Sequence, residues 1–237
     1  MNSDKPQISE QWGSAPALSS NLRFFTSELR ILPGVVIPLR SMLVETATKA
    51  VLVSPVGTPA ELAACEGKQM ILVEPSLLHH KRLAKAVQRL EPAELWGPEG
   101  FADKLPEFKD ARVFARDPWP HDDALSFAMI DGVPKRNEVV FFHHPSRTLY
   151  TADLVFAIME PKGLLSPVAL RALGVYREFA VPKMWNRWVK DKAAFHRSIE
   201  RVLSWPIEHI AMAHGEVVVT GNAREKLFAA LRARELV

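Results

Sequence analysis

Cysteine is almost missing from this chain: Cys65 is the one thiol in 237 residues. A single thiol forms no internal bridge, so a disulfide scaffold is excluded, and a reducing, cytoplasmic setting is the expectation. An excess of charge of one sign is missing too. Lys plus Arg number 30 against 27 for Asp plus Glu, a formal +3. That is too small to argue for nucleic acid without basic residues clustered around aromatics. The nearest approach is Lys183 to Arg197, with Arg187, Lys190 and Lys192 beside Trp185 and Trp188; it reads as a solvated helix face. No apolar run reaches about 18 residues, so no membrane span is expected. Met1 to Ser20 lacks a charged start followed by an apolar core, and does not read as a secretory leader. Internal repeats and low-complexity tracts are also lacking.

What is present is an ordinary globular balance, 48% hydrophobic and 24% charged, in a chain long enough to bury most of its unfolded surface without a staple. Residues 1–20, rich in Ser and holding Pro6 and Pro16, read as a poorly packed tail. With no Gly/Ser-rich linker beyond it, residues 21–237 are expected to form one domain. Short apolar runs bounded by turn residues mark strands buried on both faces: Ala50 to Val53, Met70 to Val73 and Glu94 to Trp96. A second set, Leu125 to Ile130, Glu138 to Phe142 and Arg147 to Thr151, is joined by short turns, with His144-Pro145-Ser146 closing a hairpin. Leu83, Val87 and Leu90 predict a helix starting near His80. Phe195, Ile199, Val202 and Leu203 predict another, and Leu227, Phe228 and Leu231 a last one capped by Asn222. The order of elements implies two sheets with helices outside, an α/β sandwich.

Eight histidines are present. His79-His80 follows the apolar run ending at Val73 and precedes a helix; His214-Gly215 follows the strand expected over His209 to Ala213. Ligand sites of α/β proteins collect just beyond strand ends. Asp153 sits likewise after Arg147 to Thr151. An acid between apolar segments is costly to bury unless it is paired, hydrogen-bonded or on a metal, and a loop-capping role stays open beside ligation. His143-His144 falls at a hairpin tip, where the two rings splay. Trp119, His143, His144 and Arg147 are further candidates for the mouth of a site, against ordinary core and surface roles. Cys65, in a polar stretch without a partner, does not read as a nucleophile.

The order of these motifs resembles the metallo-β-lactamase-fold superfamily, from about Asn21 to Leu231. The run Ile71 to His80 (I-L-V-E-P-S-L-L-H-H) falls where that superfamily carries H-x-H-x-D-H after an apolar strand. Leu149 to Asp153 (L-Y-T-A-D) is similar to its L-F-T-G-D, and Ile210 to Gly215 (I-A-M-A-H-G) to its late G-H-G. The run Glu138 to Asp153 resembles one divergent branch, the domain of unknown function 4336. The resemblance implies a four-layer αββα sandwich and a metal-dependent hydrolase.

The departures limit what carries over. Positions of the first metal read Pro75 and Leu77, and no histidine lies near residues 132–134, so the first site is expected to be erased. The second maps to His79, His80, Asp153 and His214. Three imidazoles and one carboxylate suit one divalent ion, Zn²⁺ first, with Fe²⁺ or Mn²⁺ also open. Such an ion is expected to activate water against an ester, thioester, amide or phosphoester of unknown identity. Four protein ligands would close a tetrahedral zinc, which counts against catalysis. The alternative is a metal-free pseudoenzyme serving as a binding or interaction module. The expected partner is a small-molecule substrate, with no nucleic acid and no membrane; self-association stays open.

Overall fold

The computed structural model describes residues 18–90, 93–216 and 218–237. A first sheet takes β1 (Leu22–Leu32), β2 (Val35–Glu45), β3 (Ala50–Val53), β4 (Met70–Val73), β5 (Ala93–Gly97) and β6 (Arg112–Val113) in that spatial order. The first three strands run antiparallel and β3 to β6 parallel. The chain then forms β7 (Leu125–Met129), β8 (Val139–His143) and β9 (Thr148–Thr151), and a small separate ribbon of β10 (Phe156–Ala157) and β11 (Phe179–Ala180). With β12 (His209–Met212) and β13 (Val219–Thr220), the second sheet is ordered β13-β12-β9-β8-β7. β12 lies parallel to β9, which puts their C-terminal ends side by side.

Side-chain alternation along the strands explains the layering. In β3 and β4, Val51, Val53, Ile71 and Val73 face the second sheet and meet Phe141, Tyr150 and Ala211 there. Leu52 and Leu72, one residue out of step, point away and pack on Leu62, Leu83 and Phe101. These belong to α1 (Pro59–Cys65), α2 (Leu83–Arg89) and α3 (Phe101–Lys104). α4 (Ser166–Leu173) lies against the β2 region, its Leu170 packed with Ile37. The outer face of the second sheet, through Phe142, Leu149, Ile210 and Met212, carries Trp185, Phe195, Ile199 and Leu227. Those come from α5 (Trp185–Trp188), α6 (Lys192–Leu203) and α7 (Ala223–Arg232). Strands buried on both faces read as unbroken apolar runs, which is why β3 and β4 were legible. The result is helices, sheet, sheet, helices, the four-layer αββα sandwich expected.

Three expectations need comment. The long β1–β2 hairpin was not anticipated; its outer strand is mostly exposed and β2 carries Pro38, so neither gives a clean apolar run. Asn222 does precede α7, but its φ of 50° lies in the left-handed region and its side chain makes no capping bond. The expected tail lies, as far as residue 17, outside the described residues. No helix among the described residues is long and apolar enough to cross a membrane.

Candidate metal centre

The site is assembled at the ends of three strands. Beyond β4 the chain turns through Pro75 and Ser76, and the Pro75 carbonyl accepts from Val139 N at 2.7 Å. This ties the loop of the first sheet to the second. His79 then caps a short 3-10 turn, His80–Arg82, which leads into α2. Beyond β9 lies Asp153, and beyond the neighbouring β12 lies His214. Because β9 and β12 are parallel and adjacent, their trailing residues leave the sheet together.

His79, Asp153 and His214 converge, with one ligand atom from each lying within 4.8 Å of the others. His79 Nε2 is 3.4 Å and His214 Nε2 3.5 Å from the same oxygen, Asp153 Oδ1. The three side chains are 4%, 7% and 8% exposed for His79, His214 and Asp153. The opposite edge of each group is already committed. His214 Nδ1 lies 3.0 Å from the Pro38 carbonyl, a pure acceptor, so Nδ1 carries the proton. His79 Nδ1 lies 2.9 Å from Ser54 Oγ. Asp153 Oδ2 accepts from Ser76 Oγ at 2.9 Å. Ser54 reaches His79 from a strand end with φ of 55°. Outer partners of this kind fix imidazole tautomer and tilt around metals.

The electrostatics follow. Burial alone would raise the Asp153 carboxyl, but the facing imidazoles of His79 and His214 overturn that and hold it well below the usual carboxylate range. His79 Nε2 is buried with no hydrogen-bond partner. With Nδ1 of His214 protonated, its neutral ring aims a lone pair at Asp153 Oδ1, an arrangement that needs a cation between them or a second proton. Two imidazoles and a carboxylate, each held by an outer bond, fit a divalent ion, and the orphaned Nε2 is the atom that would receive it.

His80, the fourth expected ligand, is outside this group. The 3-10 turn separates neighbouring side chains: His79 turns inward, while His80 is half-buried with its Nδ1 unpartnered. Burial, then Lys104, lowers its pKa. The mouth candidates have other roles. His143 is fully buried with Nδ1 2.7 Å from Ser146 Oγ, and His144 Nε2 lies 2.7 Å from Ser126 Oγ, so the pair splays as expected. Trp119 sits among Trp96, Phe114 and Phe127 and donates to the Leu125 carbonyl. Arg147 pairs with Glu208. Cys65 is buried, and burial pushes its thiol up to about 12.

Two glutamates beneath the site were missed. Glu138, fully buried, accepts from Ala152 N at 2.8 Å and Leu154 N at 3.2 Å, clasping the turn that carries Asp153. Burial, then Asp153, pushes its carboxyl up to about 8. Glu74, also fully buried, has neither oxygen hydrogen-bonded, and burial followed by Asp153 raises it well above the usual range. Glu74 closes the apolar run Ile71 to Val73, the kind of signal that had singled out Asp153, whereas Glu138 stands between the polar stretch Lys135-Arg136-Asn137 and the apolar β8. A cavity of about 310 Å³ opens beside His214, lined in part by Thr26, Glu28, Pro38, Lys162, Gly215 and Glu216.

No family model matches the chain, and no curated protein matches it. Solved structures do. A metallo-β-lactamase from Pontibacter korlensis superposes with a TM-score of 0.60 at 18% identity, over 96% of this chain and 99% of that one. A metallo-β-lactamase from Erythrobacter litoralis gives 0.60 at 16%, over 91% and 94%. The metal-soaked Flv1 flavodiiron core from Synechocystis gives 0.58 at 13%, over 97% of this chain and 61% of that chain. At these identities the likeness establishes architecture alone, and it establishes it over nearly the whole length: this chain has the metallo-β-lactamase fold.

Proposed function

We propose that this protein is a metal-dependent hydrolase of the metallo-β-lactamase fold that works with a single divalent ion held by His79, Asp153 and His214. The observation that carries this reading is the pair of imidazole Nε2 atoms facing one oxygen of a buried carboxylate, 3.4 and 3.5 Å away, with their Nδ1 atoms already engaged. A three-ligand set answers the objection raised by four: it is the composition of catalytic zinc sites, which keep one position open. His80 then stays outside the donor set. When bound, the ion would act as a Lewis acid toward a carbonyl or phosphoryl oxygen and make water more acidic.

The protein's own groups do the rest. Ser54 and the Pro38 carbonyl orient the two rings, Ser76 holds the carboxylate, and Glu138 fixes the turn beneath it. The loss of the first metal is supported by Pro75 and Leu77, whose side chains offer no donor. Zinc is the first choice of ion, with iron or manganese compatible with the same donors. A small-molecule ester, thioester, amide or phosphoester is the proposed substrate, a cytoplasmic location goes with the lone reduced thiol, and the run Glu138 to Asp153 supports the domain of unknown function 4336 as the branch.

The test is elemental analysis of protein purified without chelator or a nickel column, followed by zinc reloading and a panel of ester and phosphodiester substrates. One equivalent of metal is expected, lost in Asp153→Ala together with any turnover. Substoichiometric metal even after reloading would leave the pseudoenzyme in its place.

A further inference from the structure

We propose that Arg136, whose turn is bonded to the loop that delivers His79, is an anion-binding residue that takes an oxyanion of the substrate, a phosphate or carboxylate group. The residue belongs to the turn between β7 and β8, where the superfamily resemblance looks for a histidine and finds none. Its backbone is held on both sides: its N–H donates to Val133 O at 2.9 Å, and its carbonyl accepts from Leu77 N at 3.0 Å, within the loop that delivers His79.

The guanidinium carbon lies 3.3 Å from the ring centre of Trp188. That indole is 5.8 Å from Trp185, whose Nε1 donates to the Asp153 carbonyl at 2.9 Å. The stack therefore stands on the same short helix that anchors the Asp153 turn. Stacking uses the face of a guanidinium and leaves its in-plane N–H groups for a ligand.

Those N–H groups make no hydrogen bond or ion pair with any described residue, although the side chain is only half exposed. Several arginines elsewhere in the molecule are paired with acids, Arg147 with Glu208, Arg201 with Asp131 and Arg23 with Glu45. Burial lowers the pKa of Arg136, and the carboxylates of Asp153, then Glu138, oppose that shift, so its charge is set among the site's acids. A fixed, planar cation with unused donors suits a forked oxyanion better than a neutral group. The inference rests on the reading of the neighbouring centre as a reaction site, and it names the class of substrate that centre would receive.

Calorimetric titration of inorganic phosphate, and separately of acetate, into zinc-loaded protein tests it. Wild type is compared with Arg136→Met, Arg136→Lys and, as a remote control, Arg89→Met. Phosphate binding is expected to weaken at least about tenfold in Arg136→Met, the loss of a charge-assisted pair. Arg136→Lys should recover part of it, and Arg89→Met all of it. Acetate showing that dependence in place of phosphate would support the carboxylate form. Equal affinities in wild type and Arg136→Met, or no binding of either anion by wild type, would overturn the inference. If zinc does not load, the metal reading fails by itself; the same comparison on chelator-treated protein still decides the arginine.

Discussion

His79 and His80 are chain neighbours, yet their substitutions should behave as opposites. His79 Nε2 faces Asp153 and its Nδ1 is held by Ser54, whereas His80 lies outside the converging group. An ion that binds the folded state alone stabilises it by about 2.7 kcal/mol at one hundred times its Kd. For a chain of this length each kcal/mol moves Tm by about 2–4 °C, so zinc should raise Tm by about 5–11 °C. His80→Ala should keep that increment almost whole, and His79→Ala should lose most of it. The assay is thermal melting with zinc and with chelator, and the quantity compared is the difference between the two melts. Using the difference removes whatever packing each substitution disturbs by itself. Equal loss of the zinc increment in both variants would refute the three-ligand geometry and restore the four-ligand set read from the sequence.

Other outcomes follow from particular contacts. Glu138→Ala strands the N–H groups of Ala152 and Leu154, at about 1–3 kcal/mol for each; urea unfolding should show a loss of about 2–6 kcal/mol, and zinc affinity should fall with it. His143 is buried, and burial, then His144, brings its pKa down to about 4. The unfolded chain therefore binds the extra proton between about pH 6.5 and 4, and this contribution is whole above 6.5 and lost as pH falls through that window, at most roughly 3 kcal/mol. His143→Gln should flatten the stability slope there, as read by urea midpoints at several pH values. Gly132 has φ of 77°, and a Cβ on it would stand 2.2 Å from the Asp191 carbonyl. Gly132→Ala should lower Tm by several degrees, since the clash is with backbone. Cys65, buried, should react with a thiol reagent at pH 7 only as fast as the protein opens, seen by comparing native and urea-unfolded rates.

Legibility in the sequence tracked how local the physics was. β3 and β4 could be read because burial on both faces leaves four apolar residues in a row. β1 could not, since only Leu22 of its eleven residues is buried and its pairing partner carries a proline. Asp153 and His214 were singled out from their place just past strand ends, a rule of α/β topology, and the structure brings their side chains together. Separating His79 from His80 was beyond it, because the choice depends on one 3-10 turn and on Ser54, 25 residues upstream. Glu74 carried a visible signal, an acid closing an apolar run, whereas Glu138 follows Lys135-Arg136-Asn137 and reads locally as part of a charged turn. Pro38 contributes only a carbonyl, which no side-chain pattern records.

The hydrogen bond from Val139 to Pro75 and the meeting of His79 with Asp153 and His214 have one mechanical result. The His79 loop grows from one half of the sandwich, and the other two residues grow from the opposite half. An ion seated among them would act as a rivet through both plates at one rim. Stripping it should let that rim gape first, so amide exchange with deuterium should quicken at residues 76–80 and 213–216 while the far ends of β3, β4 and β9 stay closed.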